Sequence, residues 1–196
     1  MFLVAGLGNP GEEYALTPHN LGFLVVDQLA GRHGIRISRK DSQALAGIGE
    51  IEGYRVMLAK PQTYMNLSGV SVKALIGKHG IELGCLVVVY DELDLPWGAL
   101  KIKPKGSAAG HNGMRSLIGE LGTSEFIRVR LGIHPEHRLE SGQDYLLSLM
   151  GRRQRKELDE FTGYAADAVR SIIAEGVEKA MTNFNRRAPG LHSEEA

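Results

Sequence analysis

The sequence is poor in cysteine. Of its 196 residues only Cys85 carries a thiol, which excludes an internal disulfide and a CxxC metal site. We interpret Cys85 as a small buried residue beside a strand. A chain that makes no use of disulfides is typical of a reducing compartment, so we expect a cytoplasmic protein.

Long apolar runs are also missing. No uninterrupted apolar stretch reaches the roughly 18 residues that a membrane-spanning helix needs, so no membrane span is expected. Met1 to Ala5 has no basic flank and is followed at once by Gly6, which is unlike a signal peptide. The hydrophobic content of 43% is ordinary for a globular protein, and the length predicts one compact domain.

Net charge is absent as well. The 23 Lys and Arg residues balance 23 Asp and Glu residues, which argues against a general nucleic-acid coat. The charges are unevenly spread, however. From Gly98 to Lys156 there are 11 basic and 5 acidic residues, whereas from Glu157 to the end there are 4 and 8. The basic window is suited to contact phosphates, or it is an ordinary solvated surface.

Strand and helix patterns alternate along the chain. Leu86 to Tyr90 is apolar on both faces and is predicted to be a central strand. Other strands are predicted over residues 2–7, 44–59 (two, around a turn at Gly53), 99–103 and 126–133, and helices over residues 20–33 (capped by Asn20), 68–78, 112–121, 152–174 and 178–185. This order predicts an α/β fold, a single three-layer domain with a central mixed, mostly parallel sheet flanked by helices. We place the domain at residues 1–186 and a loose C-terminal tail at residues 187–196.

Polar side chains follow three of the predicted strands. Asn9, Asn66 and Asp91 each lie just beyond the C-terminal end of a strand. His19 precedes the helix that follows the first strand, so it belongs at the same edge of the sheet. Ligands of open α/β sheets bind beyond this edge, and neighbouring parallel strands would bring the four side chains together. The convergence predicts a functional site.

The residue types at this site indicate hydrolysis of an acyl bond. A neutral imidazole takes a proton from water near pH 7, so His19 is the candidate general base. Asp91 is the candidate that fixes its tautomer, although an aspartate in this position is more often a turn or helix cap. Asn9, Asn66 and Asn112 donate and accept hydrogen bonds without adding charge, which suits an ester carbonyl or an oxyanion.

Dinucleotide binding, metal catalysis and a serine nucleophile match the sequence less well. Gly6 to Gly11 fits the dinucleotide pattern GxGxxG, but Pro18 keeps the chain extended where a helix should begin, and no second strand supplies the acidic residue. The segment His134 to His137 is not HExxH and contains a proline, so no catalytic metal is expected. No GxSxG pentapeptide occurs. His111 is interpreted either as a minor ligand contact or as a loop-packing residue.

Four ordered blocks closely resemble the signatures of bacterial-type peptidyl-tRNA hydrolases. They are GLGNPG-x-x-Y-x-x-T-x-HN-x-GF over residues 6–23, KP-x-TYMN-x-SG over 60–69, DELDLP over 91–96 and GHNG over 110–113. The resemblance runs through Arg130 and recurs near Ala180 and Phe184. It implies a single α/β domain, no cofactor, and hydrolysis of the ester between an N-blocked peptide and the 3′ end of tRNA.

The resemblance also implies roles for individual residues. In such enzymes the histidine matching His19 is the general base, and the aspartate matching Asp91 orients it. The asparagine matching Asn9 helps to tell a peptidyl group from a free aminoacyl group. The residues matching Tyr14, Tyr64, Asn66 and Asn112 contact the 3′ end and the peptide, and those matching Lys103 and an arginine of residues 128–130, here taken as Arg130, grip tRNA phosphate. The implied partner is the acceptor stem and 3′ end of peptidyl-tRNA, bound by a monomer without a membrane or an obligate protein partner.

The chain departs from the family pattern in places that leave the proposed catalytic groups intact. Pro18 stands where arginine is common, Thr182 where asparagine is usual, and Ala108-Ala109 where glycine or serine is commoner. Two alternatives stay open from the sequence. One is a catalytically silent RNA-binding protein on the same fold, and the other is a nucleotide-binding enzyme.

Overall fold

The computed structural model of the chain describes residues 1–191. In this part of the chain the strands are β1 (Phe2–Gly6), β2 (Arg39–Asp41), β3 (Ala44–Ile51), β4 (Tyr54–Pro61), β5 (Leu86–Pro96), β6 (Leu100–Lys103) and β7 (Ile127–His134). The α-helices are α1 (Leu21–His33), α2 (Ser68–His79), α3 (Asn112–Leu121), α4 (Gly142–Leu146), α5 (Arg152–Glu175) and α6 (Val177–Phe184). Short 3-10 helices occupy Glu12–Tyr14, Pro18–Asn20, Met65–Leu67 and Leu83–Cys85.

All strands belong to one sheet with the order β2-β3-β4-β1-β5-β7-β6. The central strands β4, β1, β5 and β7 run parallel, while β2, β3 and β6 pair antiparallel with their neighbours at the two edges. Parallel neighbours require crossover connections, which the helices between the strands provide. The predicted α/β class with a mixed sheet is confirmed.

Each face of the sheet carries its own hydrophobic core. Along β5, Val87 and Val89 enter the core under α1, α5 and α6, whereas Val88 and Tyr90 enter the core under α2 and α3. Side chains of a strand alternate between its two faces, so an uninterrupted apolar run is what a strand covered on both sides requires. The result is the predicted three-layer arrangement.

Helix α1 approaches the sheet unusually closely because two glycines meet there. A Cβ atom on Gly6 would lie 2.1 Å from the carbonyl oxygen of Gly22, and one on Gly22 would lie 2.3 Å from that of Val89. No residue with a side chain fits at either position. The contact fixes the start of α1, and with it His19, against the C-terminal end of β1 and against β5 at Val89.

Three elements differ from the sequence-based expectation. Strand β5 does not end before Asp91 but continues to Pro96, because Glu92 still pairs with β7 and the pairing resumes, after an irregularity, between Pro96 and His134. Asp91 therefore lies inside the strand. The three-residue strand β2 and the five-residue helix α4 were not predicted.

The prediction of a loose tail from Arg187 is wrong for residues 187–191. Arg187 forms an isolated antiparallel β-bridge with Ala99, and its Nη2 donates to the carbonyl oxygen of Trp97 at 3.1 Å. Ala188 donates its N–H to the carbonyl of Gly98 at 2.9 Å, and both Ala188 and Leu191 are buried. The remainder of the predicted tail, residues 192–196, lies outside the described residues. Among residues 1–191, no helix combines the length and the hydrophobicity of a membrane span.

Candidate active site

A buried carboxylate joins two histidines at the C-terminal edge of the sheet. Asp91 lies 2.7 Å from Nδ1 of His19 through Oδ2 and 2.9 Å from Nε2 of His111 through Oδ1. The two imidazole rings lie 4.9 Å apart, centroid to centroid. Asp91 is 1% exposed and His19 is 5% exposed, so the pairs are shielded from water. The structure brings His19 and Asp91 together as predicted, and adds His111 to them.

Asp91 is ionised at neutral pH. Burial by itself raises the pKa of this carboxyl group. The electrostatic attraction of His19 and His111 and their hydrogen bonds outweigh burial and hold the pKa of Asp91 well below its ordinary value. An ionised carboxylate only accepts hydrogen bonds, so the nitrogen that each histidine directs at it carries a proton.

The hydrogen bonds of His111 define its tautomer. His111 is the N-cap of α3, and its Nδ1 accepts a hydrogen bond from the backbone N–H of Met114 at 3.2 Å. Nδ1 therefore carries a lone pair, and the proton of the neutral ring lies on Nε2, which donates to Asp91. Both ring nitrogens of His111 are engaged by the protein.

The bond between His19 and Asp91 assigns the other tautomer to His19. Its Nδ1 donates to the carboxylate, so the lone pair of the neutral ring lies on Nε2. His19 lines the main groove of this edge. A basic nitrogen is thus present at the groove, and the opposite ring nitrogen is held by an anion.

Asn9 is held in place by Asn20. The side chain of Asn20 accepts from the backbone N–H of Asn9 and donates to its carbonyl, both at 2.9 Å. Asn20 is the N-cap residue of α1, as predicted, but its side chain is used in the clamp and makes no cap bond. The Oδ1 of Asn9 accepts from the N–H of Met65 at 2.7 Å, which leaves the Nδ2 group of Asn9 as a donor.

The groove has a volume of about 530 Å³. It is lined by Asn9, His19, Tyr64, Met65, Asn66, Asn112, Gln143, Asp144, Leu146 and Leu147. Tyr64 is 54% exposed and has a φ of 61°, a conformation uncommon for a residue other than glycine. The walls combine amide groups with apolar side chains from α4 and the residues after it, which suits an uncharged polar substrate group attached to a variable chain.

The groove gathers only part of the predicted site. Asn9, His19, Tyr64, Asn66 and Asn112 line it, and Asp91 lies behind His19. Tyr14, Lys103 and Arg130 are outside its lining. Tyr14 ends the 3-10 helix before His19, and its carbonyl accepts from the hydroxyl of Thr17 at 2.8 Å.

Lys103 lies on the edge strand β6, and Arg130 lies on its antiparallel neighbour β7. Lys103 is opposite Arg128 in the register, and Lys101 is opposite Arg130, so the four side chains share one face of the sheet. Arg128 is buried and donates to the backbone carbonyls of residues 107, 124 and 126. Arg130 donates from Nε and Nη2 to one oxygen of the buried Glu92, at 3.1 and 2.9 Å. The predicted phosphate-binding arginine is thus already paired with a carboxylate.

His111 and the α4 wall were missed as parts of the site. The GHNG block drew attention to His111, but no local pattern shows that its ring reaches the same carboxylate as His19. The α4 wall comes from five residues without a strong helical pattern, between residues that the sequence analysis left unassigned. Only the folded chain places them opposite Asn66 and Asn112.

The same cluster is the set of groups that could hold a metal ion within the described residues. Ligand atoms of His19, Asp91 and His111 all lie within 4.8 Å of one another. A metal would need a lone pair on Nε2 of His111, and the proton would then have to move to Nδ1, where it would face the N–H of Met114. The hydrogen bonds of His111 therefore fit a metal poorly.

The chain matches one known protein family over nearly its whole length. The family model described as peptidyl-tRNA hydrolase matches residues 3–191. The chain is 71% identical over 196 residues to the peptidyl-tRNA hydrolase of Solibacter usitatus, with all of both chains covered. It is 50% identical over 188 residues to the enzyme of the same name from Koribacter versatilis, covering 95% of this chain and 94% of that one.

Solved structures agree with these comparisons. The crystal structure of peptidyl-tRNA hydrolase from Acinetobacter baumannii superposes with a TM-score of 0.89 at 34% identity, and 97% of each chain is covered. The similarity therefore extends over nearly the whole chain.

Proposed function

Because this chain belongs to the peptidyl-tRNA hydrolase family, we propose that it hydrolyses the ester bond between an N-blocked peptide and the 3′ end of tRNA. The observation that carries the proposal is the contact between His19 and Asp91 at a groove lined by three asparagines. It combines a base with a fixed tautomer and neutral donors for a carbonyl oxygen, which is what ester hydrolysis by water requires.

In the proposed reaction, Nε2 of His19 takes a proton from water as the water oxygen attacks the ester carbonyl. Asp91 stays ionised and stabilises the imidazolium. The tetrahedral intermediate collapses, the bond to the tRNA 3′ oxygen breaks, and the imidazolium returns its proton to that oxygen. General base catalysis of this kind contributes about 10²–10⁴-fold in rate.

The asparagines are proposed to bind the peptide end of the substrate. The free Nδ2 group of Asn9 would donate to a carbonyl oxygen, and its clamp by Asn20 supports this because the donor is held before substrate arrives. Asn66 and Asn112 would contact the 3′ end or the developing oxyanion, with Tyr64 beside them. Tyr14, which lies outside the lining of the groove, would contact the substrate at the edge of the groove.

The reaction is proposed to need no metal. The bond from Met114 to Nδ1 of His111 supports this, since a metal bound to Nε2 would disrupt the cap of α3. The bond from His19 to Asp91 also places an N–H, rather than a lone pair, against the carboxylate.

Phosphates of the acceptor stem are proposed to bind the face formed by β6 and β7. Lys103 and Arg130 would make the contacts, and the exposed Lys101 beside Arg130 adds positive charge to the same face. Glu92 would hold Arg130 in one orientation. We expect the protein to act in the cytoplasm as a monomer without an obligate protein partner, which size-exclusion chromatography with light scattering would test.

One assay tests reaction, substrate and metal requirement together. We expect release of N-acetyl amino acid from N-acetyl-aminoacyl-tRNA to proceed in EDTA. His19→Ala should lose about 10²–10⁴-fold in kcat while binding tRNA almost as well as the original protein. Tight tRNA binding without ester cleavage by the unmodified protein would instead identify a silent RNA-binding protein. Full turnover by His19→Ala would remove this histidine from the mechanism.

A further inference from the structure

A second cavity of about 380 Å³ lies on the other side of α4 from the groove. Its apolar wall is made by Trp97, Tyr145 and Leu149. Trp97 is fixed in place, because its indole N–H donates to Glu157 at 2.7 Å and its ring meets Phe161 edge-on, with ring centroids 5.0 Å apart. Trp97 is 7% exposed, so it presents a small, fixed aromatic surface to the cavity beside the half-buried Tyr145. A planar ring can pack against these two side chains.

The rim of this cavity carries guanidinium groups. Arg152, Arg153 and Arg187 all line it. Arg153 is paired with Glu136 and Glu157. Within residues 1–191, Arg152 and Arg187 form no ion pair, and Arg187 donates only to a backbone carbonyl. Two guanidinium groups without a carboxylate partner in the described part of the chain thus flank an aromatic cavity.

Arg152 lies where the helix itself already adds positive potential. Arg152 is the first residue of the 24-residue helix α5, whose N-terminal end is already positive. The first turn contains no acidic residue that would offset this. Glu136 also lines the cavity but is paired with Arg153, so an anion between Arg152 and Arg187 would meet favourable potential from these two side chains and from the helix.

We propose that this cavity binds a mononucleotide unit, with the base against Trp97 and Tyr145 and the phosphate between Arg152 and Arg187. The cavity volume is appropriate for one nucleotide, and the wall and rim match its two chemical parts. The unit comes either from a free nucleotide or from an unpaired nucleotide of an RNA. The site is distinct from the groove, because the two share no lining residue.

The fluorescence of Trp97 reports binding directly, since it is the only tryptophan of the chain. Titration of the full chain with AMP should give a saturable change in its emission. Adenosine and inorganic phosphate, which each supply one half of the ligand, should bind more weakly than AMP. A short 5′-phosphorylated oligoribonucleotide, titrated in parallel, shows which source binds more tightly.

Variants distinguish AMP binding in the cavity from AMP binding elsewhere on the protein. The double variant Arg152→Ala/Arg187→Ala should raise the Kd for AMP by about tenfold or more, because two charge-assisted contacts are removed. Arg155→Ala, which removes an exposed cation of α5 outside the cavity, should leave the Kd within about twofold. Asn66→Ala, in the groove, should also leave it unchanged.

Two results would overturn the proposal. One is the absence of a saturable change in Trp97 emission. The other is a change that survives the double variant or disappears in Asn66→Ala, because the nucleotide would then be bound elsewhere. Neither result bears on ester hydrolysis, which is measured separately.

Discussion

His111 donates to Oδ1 of Asp91 at 2.9 Å, on the carboxylate oxygen that His19 does not use. The carboxylate is therefore held at both oxygens, and its orientation toward His19 is set by the second histidine. His111 acts through Asp91, so we regard it as a positioning residue. His111 keeps the buried carboxylate of Asp91 ionised and oriented toward His19.

Replacing His111 should lower kcat without weakening tRNA binding. His111→Asn removes the bond to Asp91 but keeps a good cap for α3, whereas His111→Ala removes both. We expect both variants to lose about tenfold in kcat, since a buried carboxylate oxygen loses its partner. His111→Ala should lose about 1 kcal/mol more in free energy of unfolding. Full activity in His111→Asn would contradict the role in positioning Asp91.

Asn20 provides a second test of how the site is held. Asn20→Ala leaves the buried N–H and carbonyl of Asn9 without partners, which should reduce the free energy of unfolding by about 1–3 kcal/mol. We expect kcat/KM to fall as well, because the donor of Asn9 is no longer fixed. Asn20→Asp can still accept from the N–H of Asn9 and should be less impaired than Asn20→Ala if the clamp matters for catalysis. Thermal unfolding and steady-state kinetics on the same samples check both parts.

Much of the candidate site can be predicted from the sequence because the ends of strands can be recognised there. The apolar strand β1 stops at Gly6, so Asn9 falls at the edge where ligands bind, and His19 follows because α1 starts there. Asp91 lies beside His19 as predicted, but it lies within β5 rather than beyond the end of the strand. The strand continues past it, because pairing to β7 does not require that the apolar run continue.

Other features depend on contacts between distant segments. Strand β2 is three residues long and contains Arg39 and Lys40, so its composition gives no strand signal, and only pairing with β3 defines it. Residues 187–191 are held by hydrogen bonds to the turn at Trp97 and Gly98, which lies 90 residues earlier. Helix α4 likewise depends on its surroundings, since an isolated helix of that length is unstable.

Phosphate binding at the face formed by β6 and β7 can be tested through the salt dependence of tRNA binding. Lys103→Ala should weaken tRNA binding and reduce the slope of log Kd against log salt by about one phosphate contact. The matched control is Lys73→Ala, which removes an exposed lysine that pairs with Glu120 on the surface between α2 and α3. The control should leave the slope unaltered. Equal slopes for Lys103→Ala and the original protein would show that this face is not used for phosphate binding.

A second buried aspartate, Asp41, ties β2 to the C-terminal end of α2. It accepts hydrogen bonds from Lys78 at 2.8 Å, from His79 at 2.9 Å and from Ser42 at 3.0 Å. The bond from Lys78 is the largest cause that lowers the pKa of Asp41, burial opposes it, and His79 and Ser42 add to the lowering. The pKa of Asp41 therefore lies well below the ordinary value of about 3.9.

Asp41 should make stability depend on acid pH in a predictable direction. Because its folded pKa is lowered, its contribution is fully present above the unfolded pKa of about 4 and is lost as pH falls from about 5 through that value toward the folded pKa. Asp41→Asn should lower the free energy of unfolding by about 1–3 kcal/mol at pH 7. It should also lose less additional stability than the original protein between about pH 5 and pH 2. Urea unfolding at several pH values measures both effects, with Asp159→Asn, an exposed aspartate of α5, as control. Parallel pH curves for Asp41→Asn and the original protein would mean that this aspartate makes no such contribution.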